Sequence, residues 1–188
     1  GRKLDLFLSD SDRKFANRFL EQKQFELSRP IIGINPGATG GTAKRWFPQR
    51  YAELSKKMAK KHNAKIIIFG GPSDKALGEH ILELSDGSCI NIAGQTTLGQ
   101  AFALIEKCSL FVTNDSGLMH AAAALNVNQA AVIGSTDFVA TSPSNENSIM
   151  IRLPVHCSPC LHDVCPTDHQ CMDKISVDMV LEPCESLL

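Results

Sequence analysis

Ser109-Leu110-Phe111-Val112-Thr113-Asn114-Asp115-Ser116-Gly117-Leu118-Met119-His120, running on into Ala121-Ala122-Ala123-Ala124-Leu125, is the stretch on which the fold is decided. A short apolar run ends in polar residues and a glycine, then restarts as an alanine-rich segment. The run suits a strand buried on both faces, as in a parallel sheet, and alanine is the best helix former. The stretch therefore predicts a strand over 109–113, a tight turn at Asp115 to Gly117 and a helix over 116–125, with Asp115 or Ser116 as its cap.

The same pattern repeats on both sides. Upstream, Pro30 precedes the apolar burst Ile31 to Asn35, a strand, and a Gly-, Thr- and Pro-rich loop runs from Pro36 to Pro48. Tyr51, Leu54 and Met58 mark a helix to about His62; Ala64 to Phe69 is the next strand. Gly70-Gly71-Pro72-Ser73-Asp74 punctuates, and Ser73 or Asp74 caps a helix to about Leu84, followed by a strand at Cys89 to Ile92. Thr96 or Thr97 caps a helix through Ile105. Downstream come a strand at Asn128 to Ile133, a polar loop from Ser135 to Asn147, a strand at Ser148 to Leu153 and a terminal helix over Ser176 to Leu187. At the front, Leu4 to Leu8 reads as a strand, and Asp10 or Ser11 caps a helix from Asp12 to Lys23; residues 1–29 form a lead-in. Strands alternating with helices over short loops predict a parallel sheet covered on both faces, a Rossmann-like three-layer α/β/α fold.

Composition sets bounds on this reading. A chain of 188 residues that is 43% hydrophobic and 21% charged can bury the core of one soluble globular domain. Lys and Arg total 19 against 20 for Asp and Glu, so there is no global pull toward nucleic acid or anionic lipid, and any anion site must be local. No apolar run approaches the roughly 20 residues that cross a bilayer, and no basic-then-apolar leader opens the sequence, so a cytoplasmic location is expected. No internal repeat or long linker divides the chain, which points to a single domain.

In an open parallel sheet, ligands bind beyond the carboxyl ends of the strands, and four loops fall there. In the first quoted stretch, Gly117 admits a ligand close to the backbone, the helix N–H groups and the Ser116 hydroxyl suit a phosphate, and His120 lies one turn on. A plain capped helix with a satisfied histidine competes with that reading. A Ser116–His120–Asp115 hydrolase triad has the right residue types but no G-x-S-x-G elbow. In the Pro36 to Pro48 loop, glycines, Thr39 and Lys44 suit a diphosphate; solvated Lys44-Arg45 and a core Trp46 are the alternative. Neither a Walker A loop nor a G-x-G-x-x-G fingerprint is present. Asp74 can accept from ribose hydroxyls or simply cap, and Thr96 can touch base or ribose or cap its helix.

Ile34-Asn35-Pro36-Gly37-Ala38, Lys44-Arg45-Trp46, Asn91-Ile92-Ala93-Gly94 with Thr96 and Leu98, and Asn114 to His120 entering Ala121 to Leu125 follow one another over nearly the whole chain. In this order they resemble glycosyltransferase family 9, the bacterial heptosyltransferases. The resemblance implies a GT-B enzyme, two Rossmann-like halves around a cleft, of which residues 1–188 form the C-terminal, donor-binding half, with the N-terminal acceptor domain absent. It implies ADP-heptose as donor, the lipopolysaccharide inner core as acceptor through the missing half, and no nucleic-acid partner; peripheral contact with the cytoplasmic face of the inner membrane stays open. By motif position, Thr39 and Lys44 contact diphosphate or heptose, Asp74 and Thr96 lie near ribose and adenine, and Asp115, Ser116, Gly117 and His120 hold phosphate and sugar. The catalytic base, an aspartate in such enzymes, belongs to the N-terminal half, so no catalytic residue is expected here and the chain alone should be inactive. Catalysis needs no cofactor: no Asp-x-Asp pair stands in these loops to hold a metal against the diphosphate. Phe47 departs from the family, which often has Pro directly after Trp. Another nucleotide sugar, or a non-catalytic nucleotide-binding module, remains the alternative.

The segment 154–172 carries Cys157, Cys160, Cys165 and Cys171 in a C-x2-C-x4-C-x5-C array with His156, His162 and His169 between them. Four close thiolates suit a structural tetrahedral zinc; free thiols and disulfides compete. Similar cysteine-rich tails occur in some members of the family. Cys89, Cys108 and Cys184 read as small apolar residues.

Overall fold

The computed structural model describes residues 6–26 and 28–188. Helix α1 (Asp10–Gln22) is capped by Ser9, whose hydroxyl accepts from the Asp12 N–H at 3.1 Å, one residue earlier than the sequence suggests. The strand expected at Leu4 to Leu8 does not form where it can be seen: residues 6–9 have no regular structure, Phe7 is 93% exposed, and Leu4 and Asp5 lie outside the described residues.

Strand β1 (Ile31–Asn35) is followed by α2 (Pro48–His62), which Pro48 opens without needing an N–H and Asn63 closes in the left-handed region. After β2 (Lys65–Ile68), a single 3-10 turn, Pro72–Asp74, leads into α3 (Lys75–Leu84), then β3 (Cys89–Asn91) and α4 (Leu98–Ile105). Thr97, not Thr96, caps α4 in a reciprocal box with Gln100. Then come β4 (Leu110–Asn114), α5 (Gly117–Ala124), β5 (Gln129–Val132), the one-turn α6 (Phe138–Thr141), β6 (Ser148–Ile151), the one-turn α7 (Gln170–Asp173) and α8 (Val177–Leu187). Neither α6 nor α7 is legible as periodicity, because one turn is too short to show any.

All six strands are parallel, in the order β3-β2-β1-β4-β5-β6. Alternate side chains divide the core in two. Ile32, Ile34, Ile66, Ile68, Leu110 and Val112 face α2, α3 and α8, with Trp46 and Tyr51 fully buried among them. Ile31, Ile67, Phe69 and Phe111 face α1, α4 and α5. The result is the three-layer Rossmann-like fold. No helix of the described residues is long and apolar enough to cross a membrane.

Helix α8 is tied to α2 by Lys57–Asp178 at 2.7 Å and by Lys61 and His62 on Glu185 at 2.7 and 2.9 Å. The hydrogen bonds from Lys61 and then His62 hold the Glu185 carboxyl below the usual carboxylate range. A depressed folded value stabilises the fold above the unfolded value, and that gain disappears as pH falls through the folded one. Glu185→Gln is therefore expected to lower the melting temperature at neutral pH and leave it unchanged in strong acid; an equal decrease at both would show that the ion pairs are not the cause.

Candidate functional site

Strands β1 and β4 lie side by side where the strand order turns back, so the connections leaving them run to opposite faces of the sheet and open a crevice between them. Both strands end in a buried asparagine. Asn35 Nδ2 donates to Ser116 Oγ at 2.8 Å and to Thr113 Oγ1 at 3.2 Å. Asn114 Oδ1 accepts from the Trp46 N–H at 3.0 Å and the Tyr51 hydroxyl at 3.1 Å, while its Nδ2 donates to the Pro36 carbonyl at 2.8 Å. Two amides thus lock the glycine-rich loop after β1 against the turn after β4.

That turn serves as both cap and site. Ser116 Oγ accepts from the Met119 N–H at 3.4 Å, so Ser116 is the N-cap of α5. Thr113 spends its own proton on the Asn114 carbonyl at 2.8 Å, which makes Ser116 the donor in its 3.2 Å contact with Thr113. The Ser116 proton can therefore turn to a ligand at the loss of one neutral hydrogen bond. The N–H groups of Gly117 and Leu118, in the first turn of α5, have no acceptor inside their own helix. A Cβ built on Gly117 would meet nothing within 4 Å, so the approach to these amides is open.

A cleft of about 580 Å³ lies over this turn, within the usual range for small-molecule sites. It brings together Thr39, Asp74, Thr96, Ser116 and Gly117 of the residues singled out from sequence. Its other wall is apolar, made by Pro72, Leu98, Ala101, Phe102 and Leu118. Sequence reasoning missed this wall, because its members come from separate elements; the only local signal is Leu98, a leucine 65% exposed at a helix start. Asp74 sits beneath the glycine-rich loop. Its Oδ2 accepts from the Gly71 N–H at 3.0 Å, its Oδ1 is 3.7 Å from the Arg45 guanidinium, and a Cβ on Gly37 would stand 2.6 Å from it. Thr96, relieved of capping by Thr97, has no hydrogen bond among the described residues.

Lys44, Asp115 and His120 are not among the residues lining the cleft. Lys44 Nζ stands 4.0 Å from Asp115 Oδ2, an atom that is buried and has no hydrogen-bond donor. His120 follows on α5, half-buried. Asp115 faces Lys44 and Ser116 bonds Asn35, so among the described residues the Ser-His-Asp alternative is not assembled. The chain's Asp-x-Asp sequence, Asp10-Ser11-Asp12, opens α1 and does not line the cleft.

The cysteine segment lies beside the same loop. Cys157, Cys160, Cys165 and Cys171 all line one cavity of about 90 Å³, together with His162, His169, Ala43 and Ser135. All seven cysteines are free thiols. As the side chains stand, no three His, Cys, Asp or Glu of the described residues are in metal-holding geometry. The His169 Nε2–H donates to the Ala43 carbonyl at 2.8 Å and its ring edges onto Phe47 at 5.6 Å, so this histidine is a strut. Burial first, then Cys157, Cys160 and Cys165, push the Cys171 thiol up to about 11. Burial pushes Cys108 and Cys184 up to about 12, as suits small apolar residues.

The family model for glycosyltransferase family 9 (heptosyltransferase) matches residues 3–170. The lipooligosaccharide heptosyltransferase 2 of Campylobacter jejuni (serotype O:2) is 36% identical over 180 residues, 93% of this chain and 56% of that protein. The lipopolysaccharide heptosyltransferase 2 of Escherichia coli K12 is 40% identical over 176 residues, 88% of this chain and 49% of the relative. The solved structure of the E. coli ADP-heptose lps heptosyltransferase II superposes with a TM-score of 0.80 at 35% identity, covering 97% of this chain and 53% of that one. The chain thus spans about half the length of the curated relatives it matches. It belongs to glycosyltransferase family 9, the heptosyltransferases.

Proposed function

We propose that this chain is the donor-binding half of an inverting family 9 heptosyltransferase that moves heptose from ADP-heptose to the lipopolysaccharide inner core. The observation that carries the proposal is the cleft over the β4–α5 turn, with the first-turn amides of α5 and the Ser116 hydroxyl, whose proton can turn to a ligand, at its floor and an apolar wall opposite. The amides of Gly117 and Leu118, the Ser116 hydroxyl and Thr39 hold the diphosphate; the helix dipole favours its charge. Leu98, Phe102, Leu118 and Pro72 take the flat face of the base, while Asp74 and Thr96 meet ribose and adenine. Lys44 offsets charge on the departing ADP. A buried carboxylate beside a phosphate is unfavourable, so Asp115 serves to position Lys44 and, with His120, to reach sugar hydroxyls.

In this reading the domain stabilises the leaving group and orients the sugar C1. Acceptor and base belong to the other half of the enzyme, at the cytoplasmic face of the inner membrane, and no metal cofactor takes part in transfer.

Calorimetric titration tests the assignment. ADP and ADP-heptose are expected to bind at least about tenfold more tightly than UDP, GDP or their sugars, and Ser116→Ala to weaken ADP about tenfold, the effect of one hydrogen bond to a charged group. Equal affinity for UDP-sugars would move the donor to another nucleotide; no binding of any would remove the site. The purified chain alone is expected to transfer no heptose, and measurable transfer would overturn the division of labour.

A further inference from the structure

The segment between β6 and α7 has neither strand nor helix over residues 152–169, and it turns Leu161 and Val164 outward, 70% and 67% exposed. Leu153 and Val155 pack against the core at its start, but beyond them apolar burial does little to hold it. Yet it is held at both ends of a bridge. At one end Ser158 Oγ donates to the Gly134 carbonyl at 2.6 Å, and the N–H groups of Cys160 and Leu161 share the Ser135 carbonyl at 3.1 and 2.8 Å, just beyond β5. At the other end the Asp163 carbonyl accepts from the Ala43 N–H at 3.0 Å, and His169 donates to the Ala43 carbonyl at 2.8 Å. Both backbone groups of Ala43, the residue before Lys44, are thus fixed by the cysteine segment. Its four cysteines, in the only such cluster of the sequence, surround one small cavity inside this bridge.

We propose that Cys157, Cys160, Cys165 and Cys171 together bind one tetrahedral thiophilic divalent metal ion, zinc or iron, and that the loaded site clamps the Gly40–Lys44 loop for the donor. Cys157 and Cys160, with two residues between them, form the knuckle common to such sites, and Cys165 and Cys171 complete the set. The four cysteines line the cavity without converging; rotation of their side chains onto a shared ion would bring each sulfur to about 2.3 Å from the metal. Binding releases four protons and leaves four metal–sulfur bonds, with no change in oxidation state. His162 lines the cavity outside this set, and His169 is already engaged on Ala43. Only the clamp rests on the donor reading; the metal site does not.

Elemental analysis of the chain purified without chelator is expected to give about one equivalent of metal, its identity separating zinc from iron. Cobalt(II) added to the metal-free protein should give the visible bands of a tetrahedral thiolate site. Cys160→Ser and Cys165→Ser should each fall below about a tenth of an equivalent while keeping the far-ultraviolet circular dichroism of the sheet, whereas His162→Ala should keep its metal. Metal-free protein should bind ADP about tenfold more weakly than the loaded form. Less than about a tenth of an equivalent in the starting protein, or disulfides among the four cysteines by mass spectrometry, overturns the site. Full metal with ADP affinity unchanged on its removal overturns the clamp. Full metal with no ADP binding in the loaded protein overturns the donor reading and leaves the site standing.

Discussion

Asn114→Ala is expected to destabilise the chain by about 3 kcal/mol or more and to abolish saturable ADP binding at concentrations that fill the parent site. The side chain is fully buried and satisfies three groups at once: the Trp46 N–H, the Tyr51 hydroxyl and the Pro36 carbonyl. Its removal leaves the Trp46 N–H and the Pro36 carbonyl without this partner inside the protein, and each buried unsatisfied group costs about 1–3 kcal/mol. Tyr51 keeps only a 3.4 Å contact with the Asn35 carbonyl. The damage reaches the cleft because those bonds are what hold the loop from Pro36 to Trp46 against the β4–α5 turn. Asn114→Asp keeps the acceptor for Trp46 and Tyr51 but loses the donor to Pro36 and buries a charge, so it should not rescue. Chemical denaturation with parallel calorimetry reads both effects; a destabilisation below about 1 kcal/mol would show that water replaces the amide there.

Asn114 also shows why sequence discloses the fold more readily than the site. The alternation of apolar runs with amphipathic segments is written locally, so Ile31 to Asn35, Leu110 to Asn114 and the helices between them can be read off, and the layer order follows. The expected strand at Leu4 to Leu8 shows the limit: four apolar residues in five are enough pattern for a strand, but a strand also needs a neighbour to bond, and that is not a property of the segment. The loops at the strand ends are legible for the same local reason, through their glycines and hydroxyls. Asn35 and Asn114 are hidden because each reads as an ordinary strand end, and only the pairing of β1 with β4 turns two polar termini into one hydrogen-bonded floor. The signals available were that both strands stop on the same residue type and that both asparagines stand in the quoted motifs, and neither signal says what they bond. Pairs such as Lys44–Asp115 and Arg45–Asp74 join residues far apart in the chain, and no local spacing encodes them.

The second large effect is expected at Gly41. Its φ of +108° lies in the region that side chains avoid, and a Cβ built there would stand 2.0 Å from the Asp163 carbonyl oxygen and 2.5 Å from its carbon. That oxygen accepts the Ala43 N–H, so neither side can yield without separating the loop from the cysteine segment. Gly40 provides the control. It has a similar backbone need, φ +87°, but a Cβ there finds its nearest neighbour, an Asp163 carboxylate oxygen, at 3.6 Å. Gly40→Ala should therefore cost only the left-handed strain, about 1–2 kcal/mol, with ADP affinity changed little. Gly41→Ala adds a backbone overlap that only movement relieves, and the loop then carries Lys44 away from its place beside Asp115. We expect ADP affinity to fall by at least about tenfold and the partly exposed thiols of the cysteine segment to react faster with thiol reagents, neither of which Gly40→Ala should show. Titration of both variants with ADP and with a chromogenic disulfide decides the matter. If the two alanines behave alike, the loop and the cysteine segment are not in contact in solution; if only Gly41→Ala fails, the contact with Asp163 is what holds the donor loop.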